Sequence, residues 1–379
     1  MTAVSVIMPT FDKARYLELT LASFMRQTCD DFEIVVVDDG SRDDTAEMLA
    51  GWPDRRVRVL RQENAGRSAA RNAAVAAARG EWVVFCDDDR LVAPDFLEVH
   101  LQRLVADPRS VVLGFKRRVL TYWRRGELPL EMHEWLAVAA RTPGLATRME
   151  CAERLLLCTR AEIVDEFDAT VGRLLVGDEL DNQQDQLAAC GDDLAQLPMS
   201  WALGTTANMS VARRYLDGGQ TFDERFRGWG VEDTDLCYRL HLKGLVMRFE
   251  RGAVNYHQIH PLGGATPRAG AQQRSQDCER NFRIFCEKFA TLESHLLWRS
   301  MNGLGLQHAQ ALLQQAQQDS RLRDEMAWAY REVLRLYQGP AEPTARAGQL
   351  SGQAVVGLAT LPLRRPARTD PSASLSRAA

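Results

Sequence analysis

Short apolar runs alternate with helix-like stretches through about the first ninety residues. The apolar runs begin at Val4, Phe32, Val57 and Trp82, and each is typical of a β-strand. The stretches between them carry apolar residues at helical spacing or many alanines, and the first predicts a helix over residues 13–27. Repeated strand–helix alternation is typical of a parallel sheet wound with right-handed crossovers. The pattern therefore predicts an α/β protein.

Three consecutive carboxylates follow the fourth predicted strand. Asp87, Asp88 and Asp89 come directly after an apolar run that is typical of a buried strand. An isolated acidic triplet is more often a solvated turn. Ligands of open α/β sheets bind at the carboxyl ends of strands, however, and Mg²⁺ and Mn²⁺ bind through carboxylates together with substrate phosphates. The triplet is therefore a candidate site for a divalent cation and a phosphate group.

Four motifs in about the first hundred residues give this candidate its context. They are Ser-Val-Ile-Met-Pro-Thr (5–10), Val-Val-Asp-Asp-Gly-Ser (36–41), Asn-Ala-Gly with Ala-Arg-Asn (64–66 and 70–72), and Gly-Glu-Trp (80–82) before the acidic triplet. Their order resembles glycosyltransferase family 2, and four ordered motifs are specific where one alone is weak. The resemblance implies the GT-A fold, a Rossmann-like nucleotide-sugar domain, and sugar transfer from a nucleotide diphosphate sugar.

The resemblance also assigns nucleotide-side roles to three residues. Thr10 would lie at the nucleotide pocket, and Arg71 would lie near the nucleotide. Asp39 would accept a hydrogen bond from the imide N–H of uracil, since a carboxylate can fix the base in this way. A uridine diphosphate sugar is the expected donor, although a thymidine diphosphate sugar would suit Asp39 equally well. The alternative for both Asp38 and Asp39 is a capped turn before a helix, which is the interpretation favoured for Asp38.

The implied metal site combines the triplet with a late histidine. Asp87 and Asp89 would form the Asp-x-Asp motif, with Asp89 preferred as the direct ligand, while Asp88 would contact the nucleotide sugar. His257 lies in a Tyr-His-Gln run that resembles the metal-ligand histidine of bacterial chondroitin-type polymerases, and is preferred to His260. Imidazole nitrogen suits Mn²⁺ better than Mg²⁺. A lone histidine is more often a packed residue.

A second constellation, Gly-Trp-Gly-Val-Glu-Asp, begins at residue 228. It resembles an element of β-1,4-galactosyltransferases and of the chondroitin-type polymerases. By that resemblance, Trp229 and Gly230 line the sugar sites, Glu232 holds a sugar hydroxyl, Asp233 is the general base, and Asn208 contacts the donor from the preceding strand. Acids in the first turn of a helix also favour its dipole. That alternative explains the two acids but not the glycines around the tryptophan.

The expected chemistry is one proton transfer and one displacement. A carboxylate takes the proton of the acceptor as the nucleophile attacks the anomeric carbon, and a metal stabilises the departing diphosphate. One base opposite the leaving group gives inversion. The acceptor stays open between a saccharide, a natural product and a peptide Ser, Thr or Cys side chain. Two rivals remain: a nucleotidyltransferase, which would need a glycine-rich loop after the first strand, and a non-catalytic sugar-binding protein.

Composition narrows the class of protein further. The chain has 379 residues, is 45% hydrophobic and carries a net charge of −4, which argues against a nucleic-acid partner. Its eight cysteines form no Cys-x-x-Cys pair. Without a signal peptide, they predict reduced thiols in a cytoplasmic protein. No apolar run reaches the ~20 residues that a transmembrane helix needs, so a membrane-embedded synthase is not expected.

The domain organisation is predicted as five consecutive segments. They are a nucleotide-sugar half (1–122), a helical insertion (123–197), an acceptor and catalytic half (198–270), a helical extension (271–338) and a disordered tail (339–379). Predicted helices of the insertion cover residues 130–140, 149–158 and 163–175. The insertion is expected to cover the acceptor or to act as a passive brace. The C-terminal helices offer a possible homodimer contact.

Overall fold

The computed structural model of the chain describes residues 2–126, 130–179, 186–187, 192, 194–260 and 267–337. Its strands are β1 (Val4–Thr10), β2 (Phe32–Asp38), β3 (Val57–Arg61), β4 (Trp82–Cys86), β5 (Arg90–Val92), β6 (Ser110–Val119), β7 (Tyr122–Arg124), β8 (Arg154–Leu156), β9 (Leu175–Asp178), β10 (Asn208–Ala212) and β11 (Val246–Gln258). Its helices are α1 (Ala14–Phe24), α2 (Thr45–Ala50), α3 (Arg67–Ala77), α4 (Phe96–Ala106), α5 (Met132–Arg141), α6 (Leu145–Glu150), α7 (Arg160–Asp165), α8 (Phe167–Leu174), α9 (Glu232–Leu242), α10 (Pro267–Phe289), α11 (Leu292–Arg299), α12 (Leu306–Gln318) and α13 (Ser320–Tyr337).

Nine strands of the described chain form one mixed sheet, in the order β3-β2-β1-β4-β10-β6-β11-β5 with β9 paired to β6. Strands β3, β2, β1 and β4 are parallel, and helices α1, α2 and α3 connect them in turn. The predicted α/β alternation is confirmed. Strand β2 is buried along its whole length, as expected of a sheet covered on both faces. Parallel pairing places the carboxyl ends of these strands along one edge.

The second half of the sheet brings later residues to that edge. Strand β10 runs antiparallel to β4, with Asn208 opposite Cys86. Strand β11 runs antiparallel to β5, with His257 opposite Arg90. The acidic triplet lies in the short connection between β4 and β5. The start of β10 and the end of β11 therefore lie beside it, although both are more than a hundred residues further along the chain.

The insertion contains a small sheet as well as helices. Helix α5 agrees with the prediction over residues 130–140, but the helix predicted over 149–158 is wrong. Helix α6 ends at Glu150, and strand β8 then pairs with β7, so its backbone groups bond across strands instead of along a helix. The predicted helix over 163–175 divides into α7 and α8 at Glu166, whose φ of −134° is not helical.

Apolar residues of the insertion join a core with the strands around the triplet. Phe167 and Val171 belong to the same buried cluster as Leu91 of β5 and Ile259, which follows β11. This packing is driven by burial of apolar surface and fixes the insertion against the strands β5 and β11.

Three further sequence predictions concern the chain as a whole. The cysteines that the structure describes, namely Cys29, Cys86, Cys151, Cys158, Cys237, Cys278 and Cys286, are free thiols, and Cys190 lies outside the described residues. None of the described helices has the length and apolar character needed to cross a membrane. The predicted disordered tail also lies outside the described residues.

Candidate active site

A carboxylate and two imidazoles meet at the carboxyl edge of the sheet. Ligand atoms of Asp89, His257 and His260 all lie within 4.8 Å of one another. The nearest pair is His260 Nε2 and Asp89 Oδ2, at 2.8 Å, while His257 Nε2 lies 3.8 Å from the same oxygen. The structure thus brings the predicted ligands Asp89 and His257 together and adds His260, which is not among the predicted ligands.

The electrostatics of this cluster suit a divalent cation. The Lys13 ammonium lies 3.2 Å from Asp89 Oδ2 and 2.6 Å from His260 Nε2. One ring nitrogen holds either a proton or a lone pair, so His260 Nε2 cannot donate to Asp89 and accept from Lys13 at once. A bound cation would instead accept lone pairs from both Asp89 and His260. A carboxylate with two imidazoles is a donor set that fits Mn²⁺.

The protonation states point the same way. Burial raises the pKa of Asp89, but Lys13 and the two histidines outweigh burial and hold that pKa well below its usual range. Burial, together with Arg90, lowers the pKa of His257 to about 4. At neutral pH, Asp89 is therefore ionised and His257 is neutral, which are the forms that bind a metal.

The other two carboxylates of the triplet have different surroundings. Asp87 accepts a hydrogen bond from Arg71 Nη2 at 3.1 Å and lies outside the cluster of Asp89 and the histidines. Asp88 is buried, and this burial raises its pKa to about 7, with Asp89 adding to the shift and Lys13 opposing it. Of the predicted Asp-x-Asp pair, only Asp89 thus lies among the histidines.

Arg71 connects the triplet to the start of helix α9. Its buried guanidinium donates from Nη2 to Asp87, and from Nη1 to Glu232 at 3.2 Å and Asp233 at 3.3 Å. Burial disfavours the guanidinium charge, but the three carboxylates outweigh burial and raise the pKa of Arg71. A planar guanidinium can hold several carboxylates in fixed directions. One side chain therefore fixes the distance between the triplet and both acids of the second constellation.

Thr206 holds the predicted base from the other side. Its hydroxyl donates to Asp233 Oδ1 at 2.7 Å, and its backbone N–H donates to Oδ2 at 3.1 Å. Burial raises the pKa of Asp233 to about 6, and Glu232 adds to the shift while Arg71 and Thr206 oppose it. A carboxylate with a pKa in this range is a stronger base than an exposed aspartate and is still ionised at neutral pH. Sequence reasoning did not single out Thr206.

The loop before α9 has an unusual backbone. Gly228, Gly230 and Val231 all have positive φ angles, of 74°, 91° and 76°. Glycine adopts this region freely, but a β-branched residue there costs roughly 1–3 kcal/mol. Between the two glycines, the Trp229 side chain is 45% exposed. The loop thus presents an aromatic surface directly before Glu232 and Asp233.

Asp39 and Asn208, both predicted to contact the donor, form hydrogen bonds within the protein. Asp39 Oδ1 accepts hydrogen bonds from Gln62 Nε2 and the Ala65 N–H, and Oδ2 accepts from the Gly66 N–H. Asp39 therefore fixes the loop that leads into α3. Asn208 is 1% exposed, and its side chain bonds to His100 and to the backbone carbonyls of Phe115 and Ala253.

The insertion supplies a carboxylate beside the cluster of Asp89, His257 and His260. Glu179 Oε1 lies 3.6 Å from His257 Nδ1, on the side of the ring opposite the nitrogen that faces Asp89. Glu179 also accepts hydrogen bonds from Arg90 at 2.5 and 3.3 Å. Burial raises the pKa of Glu179, but Arg90 outweighs burial and brings it to about 2, so the group is ionised. A carboxylate in this position orients a histidine ligand and raises its basicity.

Replacing Glu179 with glutamine should weaken Mn²⁺ binding by ~10- to 100-fold. The amide keeps the size of the side chain but removes the charge that faces the His257 ring. Mn²⁺ affinity is measured by electron paramagnetic resonance. Glu166→Gln, an exposed change in the same insertion, is the matched control. Equal affinities in the two variants would show that Glu179 serves only to bind Arg90.

The raised pKa of Asp233 also predicts a pH dependence. A base must be ionised, so kcat/KM should rise with pH through about 6 and level off above that value. Arg71→Met removes a charge that favours the ionised form, so the rise should move to higher pH. The pH profile of the initial rate provides the measurement. A rise that persists unchanged in Asp233→Asn would belong to another group.

Sequence comparisons with known proteins cover up to 79% of the chain. Residues 5–152 match the family model described as Glycosyl transferase family 2. The chain is 32% identical over 306 residues to the uncharacterized glycosyltransferase YfnE of Bacillus subtilis, covering 79% of this chain and 74% of that protein. It is 30% identical over 310 residues to validoxylamine A glucosyltransferase of Streptomyces hygroscopicus subsp. jinggangensis, covering 79% and 64%. It is 26% identical over 302 residues to chondroitin synthase of Escherichia coli, covering 78% and 41%. The chain thus spans less than two thirds of the length of the last two relatives.

Proposed function

Since the chain belongs to glycosyltransferase family 2 and has the GT-A fold, we propose that it is a metal-dependent inverting enzyme, which moves a sugar from a nucleotide diphosphate sugar to an acceptor hydroxyl or thiol. The observation that carries this proposal is the Arg71 bridge. A single guanidinium binds Asp87 beside the metal cluster and Asp233 at the start of α9. A phosphate site and a base are thereby held on neighbouring elements, as a displacement at an anomeric carbon requires.

Asp233 is the general base in this mechanism. Its carboxylate takes the proton of the acceptor as that nucleophile attacks the anomeric carbon. Thr206 and Arg71 fix its direction, and Glu232 lies beside it to hold a sugar hydroxyl. Attack from the side of Asp233, opposite the departing diphosphate, inverts the anomeric centre.

Asp89, His257 and His260 would hold the divalent cation, which supplies positive charge to the leaving diphosphate. Lys13 already lies beside these ligands and adds a second cationic group to the phosphate side of the site. Mn²⁺ is favoured over Mg²⁺ because two of the three ligands are imidazoles. Asp87 takes part through Arg71 rather than as a member of this ligand cluster.

The proposed donor is a uridine diphosphate sugar. The Asp39 carboxylate offers about four acceptor positions, and three are used by Gln62, Ala65 and Gly66. One position is left for the imide N–H of a pyrimidine base. The relatives named as a validoxylamine A glucosyltransferase and a chondroitin synthase support transfer of a hexose-type sugar to a carbohydrate-like acceptor.

Release of nucleoside diphosphate from a panel of nucleotide sugars tests the proposed function. The protein is incubated with each donor and a mixture of acceptors, in Mn²⁺ or in EDTA, with Asp89→Ala as the inactive control. We expect one uridine or thymidine diphosphate sugar to be consumed in Mn²⁺ only. Release of pyrophosphate from a nucleoside triphosphate would instead indicate a nucleotidyltransferase. Binding of a donor without turnover under any condition would indicate a sugar-binding protein.

A further inference from the structure

Helix α10 lies in the C-terminal extension, outside the residues that match the family model. We propose that two of its side chains, Asp277 and Asn281, act as a clamp that holds the loop of residues 228–230 and so positions Trp229 for the acceptor. This inference rests on the proposed function for the role of Trp229. Asp277 and Asn281 are positioning residues, since they contact the backbone of the loop and not the reacting groups.

Asn281 provides the hydrogen-bond donor of the clamp. Its side chain is completely buried, and its Nδ2 lies 3.0 Å from the carbonyl of Arg227, 3.4 Å from that of Trp229 and 2.8 Å from that of Gly230. One amide thus donates to carbonyls on both sides of the tryptophan. A single buried side chain that bonds to several carbonyls of one loop fixes their relative positions.

Asp277 provides the hydrogen-bond acceptor of the clamp. Its Oδ2 accepts the Trp229 N–H at 3.3 Å, while its Oδ1 accepts from Gln273 at 3.1 Å and Arg280 at 3.0 Å. The two bonds to Oδ1 come from the same helix and hold the carboxylate in one orientation. A Cβ added at Gly228 would collide with this carboxylate, so the glycine is needed for the close approach of loop and helix.

The backbone of the loop explains why a clamp is needed. Gly228, Gly230 and Val231 all have positive φ angles, which a free chain has no reason to hold together. Helix α9 begins at Glu232, directly after this segment. A shift of the loop therefore changes the position of Trp229 relative to Asp233, the proposed general base. Trp229 is 45% exposed, so burial of its ring contributes less to fixing it than burial of a core tryptophan would.

The test compares the full-length protein with Asn281→Ala. Gln276→Ala is the matched control, because Gln276 is exposed on the same helix. Hydrogen–deuterium exchange of a peptide that covers residues 227–231 should be ~10-fold faster in Asn281→Ala than in the control, since local opening follows the loss of these bonds. The acceptor KM should rise ~10-fold, with the donor KM and slow donor hydrolysis unchanged.

Asp277 gives a second, milder pair of variants should Asn281→Ala fold poorly. Asp277→Asn keeps an oxygen that can accept the Trp229 N–H, whereas Asp277→Ala does not. The asparagine amide NH2 cannot accept from Gln273 and Arg280 in place of Oδ1, so we expect Asp277→Asn to lie between the wild type and Asp277→Ala, and Asp277→Ala to resemble Asn281→Ala, in both exchange and acceptor KM. Loop exchange equal to that of the control would overturn the clamp, as would faster exchange with an unchanged acceptor KM. If the protein transfers no sugar at all, the proposed function falls, and the exchange comparison still decides whether α10 holds the loop.

Discussion

Replacement of Asp233 by asparagine should lower sugar transfer by ~10²–10⁴-fold. The amide has the size of the carboxylate and can still bond to Thr206 and lie beside Arg71. It cannot take a proton from the acceptor, because its oxygen is far less basic. Initial rates of nucleoside diphosphate release at saturating donor and acceptor give the measurement. Asp30→Asn, at a side chain that is 95% exposed, is the matched control.

Donor affinity separates a base from a binding group. The residues proposed to hold the metal and the nucleotide are unchanged in Asp233→Asn, so the donor should bind with nearly its original affinity. Loss of donor binding, with turnover retained once the donor is saturating, would show that Asp233 binds the donor and that another group is the base.

Replacement of Asp89 by alanine should abolish metal-dependent binding of the nucleotide. Asp89 is the shared partner of His257, His260 and Lys13, so its loss removes the only carboxylate of the proposed ligand cluster. A diphosphate would then lie among acidic side chains without its cation and be repelled. Isothermal titration of the protein with UDP, in Mn²⁺ and in EDTA, measures this effect.

The same titration contains its own controls. Removal of metal from the wild type should reproduce the effect of Asp89→Ala, and Asp30→Ala should bind UDP in Mn²⁺ as the wild type does. UDP binding that is equal in EDTA, in Mn²⁺ and in Asp89→Ala would mean that the phosphates are held by protein cations alone, with Lys13 the first candidate.

The arrangement of the first ninety residues could be read from the sequence because it depends on local patterns. Apolar runs and helical spacing fix each element, and right-handed crossovers fix the parallel order. The acidic triplet at the end of β4 follows directly from that order. The start of α9 at Glu232 can also be predicted from the sequence, since two acids after a glycine-rich segment favour the first turn of a helix.

The partners within the site could not be predicted in this way. The position of His260 beside Asp89 depends on the pairing of β11 with β5, and the Glu179–His257 contact depends on the path of the insertion. Thr206, in the segment before β10, lies next to Asp233 at the start of α9, although the two residues are 27 positions apart in the sequence. These contacts join residues far apart in sequence, and no local periodicity encodes them.

Asn208 illustrates the opposite limit, where a motif does not determine exposure. The contact of Asn208 with the donor stays a prediction, and in the structure its side-chain oxygen lies 3.0 Å from the buried His100 ring. A buried imidazole needs such a partner. The helix predicted over residues 149–158 is wrong because pairing of β8 with β7 outweighs the local preference for a helix.

The anomeric configuration of the product tests the central claim most directly. Proton nuclear magnetic resonance follows a uridine diphosphate sugar with an α-linked sugar in the presence of the protein, Mn²⁺ and an acceptor. We predict that the α-anomeric signal of the donor is replaced by a β-anomeric signal of the product, with UDP formed in equal amount. A product that keeps the α configuration, or the appearance of UMP in place of UDP, would contradict the account.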